Sequence, residues 1–236
     1  MDPAPDNART AYTGTDNLEV LKEAGNYNAF LKREIIRHGH GATSALDFGA
    51  GNGRFPAALK DAGVRVICVE PDPGLAGRLK AMGFETHTHI DDVAPDSLEY
   101  IYSLNVLEHI DDDLGALRGL YSRLKPGGGL FLYVPAFQVL FSSMDRKVGH
   151  VRRYTKAPAV RLLQSAGFEV RRAAYADSLG FVAALVYKFI GNREGTLNPT
   201  AVKIYDTIVF PISRLCDRLV GGLFGKNLMI SAIRPR

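Results

Sequence analysis

The sequence predicts a three-layer α/β sandwich built around a mostly parallel sheet. Short apolar segments, typical of buried strands, alternate along the chain with longer segments whose apolar residues recur every three or four positions. Glycine and proline mark many junctions between the two kinds of segment. With 236 residues, 46% of them hydrophobic, the chain is long enough to form a substantial core.

Seven short segments have the character of strands. They are residues 44–48, 64–70, 84–90, 99–105, 130–136, 168–175 and 226–234. Other segments carry the helical period, and several of them end at a glycine, which terminates helices readily. They are residues 17–38, 55–62, 73–82, 111–124, 155–166, 178–190 and 200–224. Residues 125–129 (KPGGG) predict a turn, and residues 137–154 predict an irregular loop.

The two ends of the chain depart from this alternation. Residues 1–16 are polar and contain prolines, which predicts a flexible arm ahead of one domain spanning residues 17–236. Residues 178–224 hold two helical segments with no strand between them, so we expect a helical lid or insertion before the last strand. Pro211 is expected to break or kink the second helix.

Composition argues against several classes of function. The net charge of +4 comes from scattered lysines and arginines without a long basic run, which disfavours nucleic-acid binding. Cys68 and Cys216 do not make a disulfide framework, and no signal peptide opens the chain, so we expect a cytoplasmic protein. The longest apolar stretch, residues 179–191, is interrupted by Lys188 and is too short to cross a bilayer.

The first predicted strand leads into a cluster of glycines, LDFGAGNGRF at residues 46–55. Their spacing is G-x-G-x-G, whereas a dinucleotide-binding loop needs G-x-G-x-x-G. Because glycine is costly in regular structure, the cluster indicates a backbone that approaches a ligand closely. The second strand ends in Glu70, where a carboxylate can accept hydrogen bonds from both hydroxyls of a ribose. Together these features predict a nucleoside ligand.

These residues and three further motifs resemble class I S-adenosylmethionine-dependent methyltransferases. The motifs are NVLEHIDDD (105–113), KPGGG (125–129) and MDRKVGHVRRYT (144–155), and the last is similar to the small-molecule branch of the family. The resemblance implies a seven-stranded sheet whose last strand is antiparallel to the rest. It also implies S-adenosylmethionine as the methyl donor and S-adenosylhomocysteine as the product.

The resemblance assigns cofactor-binding roles to the glycine loop and its neighbours. Gly49 and Gly51 would let the backbone approach the methionine and ribose portion of the cofactor. Asp47 would hold the amino group of the cofactor, directly or through water. Glu70 would bind the ribose hydroxyls.

Further cofactor contacts are implied at the ends of other elements. Pro71 would flank the adenosine, and either Asp91 or Asp92 would contact the adenine amine. Asn105 ends the fourth strand beside the methionine portion. Tyr27 either closes over the cofactor or packs as an ordinary core aromatic. The full predicted cofactor set is Tyr27, Asp47, Gly49, Ala50, Gly51, Gly53, Glu70, Pro71, Asp91, Asp92 and Asn105.

Two histidines are candidate catalytic residues. His109 follows the fourth strand, so it either lies near the transferred methyl group or is hydrogen-bonded within the turn. His150 lies in GHVRRY, on the loop expected to face the acceptor, as a general base, a substrate contact or a structural residue. The histidine pairs at 38/40 and 87/89 lack clustered cysteines, so no metal site is expected.

Candidate substrate contacts follow His150 directly. They are Arg152, Arg153 and Tyr154. An arginine pair can clamp a carboxylate or a phosphate. The same arginines can instead tie the loop to Asp145 or to the aspartates at 111–113, so both interpretations stay open at this point.

The sequence therefore predicts methyl transfer to an oxygen or nitrogen of a small molecule. The late helices would suit an apolar acceptor, such as a polyketide, an aromatic or a lipid-linked metabolite, and they also predict peripheral membrane contact or a homodimer surface. The alternatives are an NAD-dependent oxidoreductase, a nucleobase methyltransferase and a non-catalytic S-adenosylmethionine-binding module. The G-x-G-x-G spacing disfavours the first, and NVLE in place of (D/N/S)-P-P-(Y/F) disfavours the second.

Overall fold

The computed structural model describes residue 20, residues 22–190, residue 196 and residues 198–236. The predicted arm at residues 1–16 lies outside the described residues. Seven strands of the described chain form one sheet, in the order β3-β2-β1-β4-β5-β7-β6. The strands are β1 (Ser44–Phe48), β2 (Arg65–Val69), β3 (Glu85–His87), β4 (Leu98–Leu104), β5 (Leu124–Pro135), β6 (Glu169–Ala176) and β7 (Asn227–Ile233).

The pairing of the strands confirms the predicted sheet. The first five strands pair in parallel, and β7 pairs antiparallel with β5 on one side and β6 on the other. The seven-stranded, mostly parallel arrangement with an antiparallel last strand was therefore correct.

The helices lie close to the predicted segments. They are α1 (Gly25–His38), α2 (Arg54–Asp61), α3 (Pro73–Ala81), α4 (Asp113–Arg123), α5 (Ser143–Val148), α6 (Lys156–Ser165), α7 (Ser178–Ile190), α8 (Pro199–Ile204) and α9 (Phe210–Val220). Among the described residues, none of these helices combines the length and the apolar character needed to cross a membrane.

Two predicted connections differ from the expectation. Residues 125–128 bulge out within β5 between two paired positions, Leu124 opposite Leu98 and Gly129 opposite Tyr100, with Gly127 at a φ of 85°. The predicted irregular loop at residues 137–154 contains α5. A capping box at Ser142 satisfies the first N–H groups of this short helix. The helix has no hydrophobic periodicity by which the sequence could have predicted it.

The late helical run changes its pitch before Pro211. Residues Tyr205–Val209 form one wide turn between α8 and α9, and Pro211 lies in the first turn of α9. Proline donates no N–H, and its ring crowds the carbonyl four residues earlier, so the helix widens there. The expected break is thus a local widening, and the chain continues as a helix.

Helices cover both faces of the sheet. On one face, α1, α2 and α9 bury Phe30, Leu59 and Phe210 against the strands. On the other face, α4 and α6 bury Leu117 and Leu163. Successive strand residues point to opposite faces, so each central strand contributes to both cores. This is the three-layer sandwich that the alternation of segments predicted.

Two aspartates fix the inserted helices to the rest of the protein. Asp206 of the wide turn accepts hydrogen bonds from the backbone N–H groups of Asn26 and Tyr27, each at 2.8 Å. Its carboxylate thereby meets the positive pole of the α1 dipole. Asp217 of α9 accepts a hydrogen bond of 2.8 Å from the N–H of Asp177, just after β6. The insertion therefore holds the start of α1 and the end of β6 in place.

The strand order defines where a ligand would bind. Because β1 lies between β2 and β4, the chain leaves the carboxyl end of β1 on one side and that of β4 on the other. In open α/β sheets, ligands bind in the crevice at this point of divergence. The glycine loop after β1 and the turn after β4 line that crevice.

Candidate active site

The glycine loop after β1 has a backbone that other residues adopt with difficulty. Gly49, Gly51 and Gly53 have φ angles of 81°, 55° and 79°. A Cβ atom on Gly49 would lie 2.3 Å from Val106 Cγ2, so the loop packs directly on the turn after β4. A Cβ atom on Gly51 would meet nothing within 4 Å. The loop is therefore closed against the protein at Gly49 and open toward the crevice at Gly51.

Glu70 stands at the end of β2 beside this loop. Its carboxylate accepts hydrogen bonds from the backbone N–H groups of Gly51, at 2.8 Å, and Asp72, at 3.0 Å. Burial raises the pKa of Glu70, and the two backbone hydrogen bonds oppose that rise. Each oxygen accepts one of these backbone hydrogen bonds and keeps a second lone pair. Glu70 thus fixes the loop and retains acceptor capacity at the crevice.

Asp47 is a buried acid at the end of β1. The hydroxyl of Tyr102 donates a hydrogen bond of 2.8 Å to its carboxylate. Burial raises the pKa of Asp47 to about 7, the Tyr102 hydrogen bond opposes the rise, and the charge of Glu70 adds to it. Tyr102 could not be predicted as a partner of Asp47, because only the parallel register of β1 and β4 sets the two residues opposite each other.

Tyr27 and Asn105, predicted separately as cofactor contacts, come together at the end of β4. The Tyr27 ring packs edge-on against Tyr133 and Phe210, with centroids 6.2 Å and 5.6 Å away. Burial raises the pKa of Tyr27 to about 12, and a hydrogen bond with the Asn105 side chain opposes the rise. Asn105 has a φ of 53°, a sparsely populated conformation that often marks functional sites.

Asp91 and Asp92 lie in a tight turn, Ile90–Asp92, just after β3. The Asp91 carboxylate accepts a hydrogen bond of 2.7 Å from Arg123 of α4. Both aspartates are exposed. The Asp92 side chain has no side-chain partner among the described residues. Of the two acids between which the sequence left the choice open, Asp92 is therefore the one not already engaged.

The segment after β5 is organised around Asp145. This fully buried carboxylate accepts hydrogen bonds from Ser142, from His150 Nδ1 at 2.7 Å, and from Arg153 Nε and Nη2 at 2.8 Å and 2.9 Å. Although burial opposes it, the hydrogen bonds from His150 and Arg153 hold the pKa of Asp145 well below its usual range. His150 is thus positioned by an acid that the sequence analysis considered only as a partner for arginine.

Arg152 and Tyr154, two of the predicted substrate contacts, also form hydrogen bonds with other residues of the chain. Arg152 donates a hydrogen bond of 2.7 Å to Asp113 at the start of α4. The Tyr154 hydroxyl lies 3.2 Å from the carbonyl oxygen of Leu107 and 3.0 Å from the Asp113 carboxylate, and it can donate a hydrogen bond to either. These contacts, with the Arg153–Asp145 pair, tie the loop to neighbouring segments. Substrate contact by Arg152, Arg153 or Tyr154 stays a prediction.

His109 and His150, the two candidate catalytic histidines, lie side by side. Their ring centroids are 4.7 Å apart, and the rings meet edge-on. Burial and the neighbouring His150 lower the pKa of His109 to about 4, while the carbonyl of Gly149 opposes the change. Glu108 lies beside them, and burial raises its pKa to about 8. Glu108 was not among the predicted site residues, although it stands within the NVLEH motif.

A family model described as a methyltransferase domain matches residues 16–173. The chain belongs to this methyltransferase family. The match confirms the resemblance to class I S-adenosylmethionine-dependent methyltransferases that the motifs indicated. It covers the glycine loop, Glu70, the turn after β4 and the segment around Asp145.

Individual methyltransferases are similar over different lengths. An uncharacterized methyltransferase of Mycolicibacterium paratuberculosis is 31% identical over 177 residues, which cover 66% of this chain and 68% of that protein. A ubiquinone biosynthesis O-methyltransferase of Xanthomonas campestris is 32% identical over 97 residues, 37% of this chain and 41% of that protein. A methyltransferase structure from Archaeoglobus fulgidus has a TM-score of 0.62 at 18% identity and covers 92% of this chain and 98% of its own. This last likeness is one of fold.

Proposed function

We propose that this methyltransferase transfers a methyl group from S-adenosylmethionine to an oxygen or nitrogen of a small-molecule acceptor. The observation that carries the proposal is the crevice at the ends of β1 and β4, where a buried Asp47, an open Gly51 and the Glu70 carboxylate meet. These groups suit a ligand with an ammonium group and a ribose. The cofactor supplies an electrophilic methyl group on a sulfonium centre.

The chain's own groups have separate roles in binding the cofactor. Asp47 holds the amino group, directly or through water, and Glu70 accepts hydrogen bonds from the ribose hydroxyls. Asp92 contacts the adenine amine, because Asp91 is engaged by Arg123. Tyr27 and Asn105 close the crevice beside the methionine portion. Such preorganised contacts place the methyl group for attack and exclude water.

The acceptor side of the crevice favours an apolar or aromatic small molecule. Phe137 follows β5 with a φ of 60°, and its ring lies 4.6 Å from Tyr175 and 5.4 Å from Phe181. Phe181 in turn contacts Phe224, with a centroid distance of 5.4 Å. Three of these rings, those of Phe137, Phe181 and Phe224, are only partly buried. A partly open aromatic cluster of this kind suits an apolar acceptor.

A hydroxyl acceptor must also lose its proton. His150 is the better placed base, because Asp145 holds its ring through Nδ1 and leaves Nε2 as the acceptor nitrogen. His109 is the alternative. A neutral amine acceptor would need little help from either histidine.

The acceptor class is tested with S-adenosylmethionine that carries a labelled methyl group. Purified protein is incubated with separated small-molecule, protein and nucleic-acid fractions of a cell extract. We expect label in the small-molecule fraction, in products that partition into organic solvent. Label confined to protein or nucleic acid would contradict the proposal, and tight cofactor binding without transfer to any fraction would favour a non-catalytic module.

Cofactor binding is expected to depend on pH through Asp47. Its pKa lies at about 7, and the ammonium group of the cofactor needs the ionised carboxylate. Protons therefore compete with the cofactor below pH 7, and affinity should fall about tenfold from pH 8 to pH 6. Calorimetric titration with S-adenosylhomocysteine measures the dependence.

Asp47→Asn is the control for this dependence. It removes the titrating group, keeps the shape, and should bind weakly with a flatter pH profile. Glu70 also has a raised pKa and faces the same crevice, so any slope left in this variant reports on Glu70. An unchanged slope in Asp47→Asn would refute the assignment to Asp47.

We further propose that the inserted helices bring the enzyme to an anionic lipid surface. One row of large apolar side chains along the wide turn and its flanking helices is exposed, with Leu219 at 87% of its maximal accessibility. The row consists of Ile204, Ile208, Ile212, Leu215, Leu219 and Leu223. On α7, Val182, Val186 and Phe189 are exposed as well. Such a surface matches an amphipathic helix that lies in a membrane interface.

The charges around this apolar row favour anionic lipid as the occupant. Lys188, Lys203 and Arg218 are exposed on the same helices. The acids among the described residues of these helices are Asp206, which is buried, and Asp217, whose side chain is 6% exposed and paired to Arg214. The exposed charges are therefore cationic, which complements acidic headgroups.

Vesicle flotation tests the lipid surface. The protein should float with vesicles of phosphatidylcholine and phosphatidylglycerol, and much less with phosphatidylcholine alone. Leu219→Glu should abolish flotation, whereas Met82→Glu, at an exposed apolar position directly after α3, should leave it unchanged. Absence of flotation would refute the proposal. A concentration-dependent dimer that Leu219→Glu dissociates would instead assign the row to a second copy of the chain.

A further inference from the structure

Three potential metal ligands converge beside the crevice. Glu108 and His109 lie in the tight turn Leu107–His109 after β4, and His150 lies in the loop after α5. One ligand atom from each of the three side chains lies within 4.8 Å of the other two. The sequence predicted no metal site, because the histidine pairs at 38/40 and 87/89 lack clustered cysteines. The three ligands here come from two segments some forty residues apart.

The Glu108 carboxylate is the first argument that this cluster binds a cation. Its side chain is fully buried, and among the described residues neither oxygen has a hydrogen-bond partner. A buried carboxylate without donors is costly, since such groups are ordinarily paired or bind metals. Two imidazole rings lie beside the carboxylate, and one of them, that of His109, is partly exposed to solvent.

The orientation of His150 is the second argument. Its Nδ1 lies 2.7 Å from Asp145, which therefore accepts the Nδ1 proton, and its Nε2 lies 3.6 Å from Glu108 Oε1. A carboxylate behind a histidine, fixing its tautomer and aiming its other nitrogen, is the usual support of a metal-bound imidazole. Two ligands of a tetrahedral ion with bonds of about 2.1 Å stand roughly 3.4 Å apart, close to this spacing.

His109 completes the set. Its Nδ1 lies 3.3 Å from the carbonyl oxygen of Gly149, in the same loop as His150. A backbone hydrogen bond also joins the turn and the loop: the N–H of Val151 donates to the carbonyl oxygen of Glu108 at 2.9 Å. The two segments that carry the ligands are thus bound to each other by the backbone. The ligand positions are therefore preorganised.

We propose that Glu108, His109 and His150 bind one divalent transition-metal ion, with Asp145 positioning His150. Two imidazoles and one carboxylate favour Zn²⁺ or a similar ion over Mg²⁺, which prefers oxygen ligands. Three protein ligands leave a position for water or another oxygen ligand. With the ion bound, the His150 Nε2 would be a ligand, so the role of His150 as a base applies to the metal-free protein. Two of the three ligands lie in the turn after β4, three and four residues beyond Asn105.

Metal binding is measured on the full chain after treatment with a chelator. Calorimetric titration with Zn²⁺ should show one ion per chain, and Co²⁺ should give visible absorption bands of a low-coordinate site. Glu108→Gln and His109→Asn should each weaken Zn²⁺ binding by roughly tenfold or more. His87→Asn, a partly exposed histidine on β3, should bind as the unchanged protein does.

The His109 variant separates loss of metal binding from loss of folding, because His109 is partly exposed and its replacement should disturb the fold little. Unfolding curves of each metal-free variant show whether it folds, and His109→Asn is expected to fold even if Glu108→Gln does not. Absence of saturable Zn²⁺ binding, or equal affinity in both variants and the unchanged protein, would overturn the proposal. Neither methyl donor nor acceptor is present, so failure here leaves the proposed transferase function untouched.

Discussion

Replacing Glu70 with alanine is expected to weaken S-adenosylmethionine binding roughly a hundredfold, which corresponds to about 2.7 kcal/mol. The carboxylate is the proposed acceptor for both ribose hydroxyls, and hydrogen bonds to a charged group contribute about 1.5–3 kcal/mol each. Glu70 also holds the N–H of Gly51 at 2.8 Å, so the variant loosens the glycine loop. Both effects weaken binding. Calorimetric titration with S-adenosylmethionine measures the loss.

Two further variants separate these effects. Glu70→Gln keeps the side-chain shape and one acceptor oxygen, so we expect an intermediate loss of roughly tenfold. Glu85→Ala removes an exposed acid on the neighbouring β3, paired with Arg65, and should change affinity by less than about twofold. If Glu70→Ala bound the cofactor as tightly as Glu85→Ala does, the ribose assignment would be wrong.

The largest effect on stability is expected for Asp145→Ala, at about 3–5 kcal/mol. The carboxylate is fully buried and pairs with Arg153, whose side chain is only 3% exposed. Removing Asp145 leaves a guanidinium group buried without its counter-charge, and it also frees the ring of His150. Chemical denaturation at pH 7 measures the free energy of unfolding.

The same pair predicts how stability depends on pH. The pKa of Asp145 is held below its usual range in the folded protein. A depressed carboxyl pKa contributes stability that is fully present above the unfolded pKa, about 3.9, and is lost as pH falls through the folded value. Unfolding measured below pH 4 should therefore show a steeper loss of stability in the unchanged protein than in Asp145→Asn.

A partner variant distinguishes the buried charge from general damage. Combining Asp145→Ala with Arg153→Leu removes both charges, and we expect part of the lost stability to return. Glu85→Ala, which breaks the exposed Arg65–Glu85 pair, should cost less than about 1 kcal/mol. A double variant no more stable than Asp145→Ala would show that the ion pair is not the source of the effect.

The places of the glycine loop and of Glu70 in the fold could be predicted because their signals are local. The glycines of 49–53 follow a strand directly, and Glu70 ends the next strand, so neither inference needed distant contacts. The alternation of strands and helices follows from side-chain periodicity, which is also a local property. The helix in the loop after β5 escaped prediction because one capping box, and no apolar period, stabilises it.

Other parts of the site depended on contacts between distant segments. Tyr102 meets Asp47 through strand register, and Asp206 caps a helix 180 residues earlier in the chain. The sequence left Arg152 and Arg153 between substrate and structural partners, and only the packed loop shows the partners they bind within the chain.

The sequence by itself thus determined the fold, the methyltransferase family and the strand ends that carry the cofactor loop, because periodicity and short motifs are written in neighbouring residues. The tertiary structure decided which charges are buried and paired. It brought His150 to Asp145, and Glu108 and His109 to His150. Burial and pairing depend on which segments pack together, and that information is distributed over the whole chain.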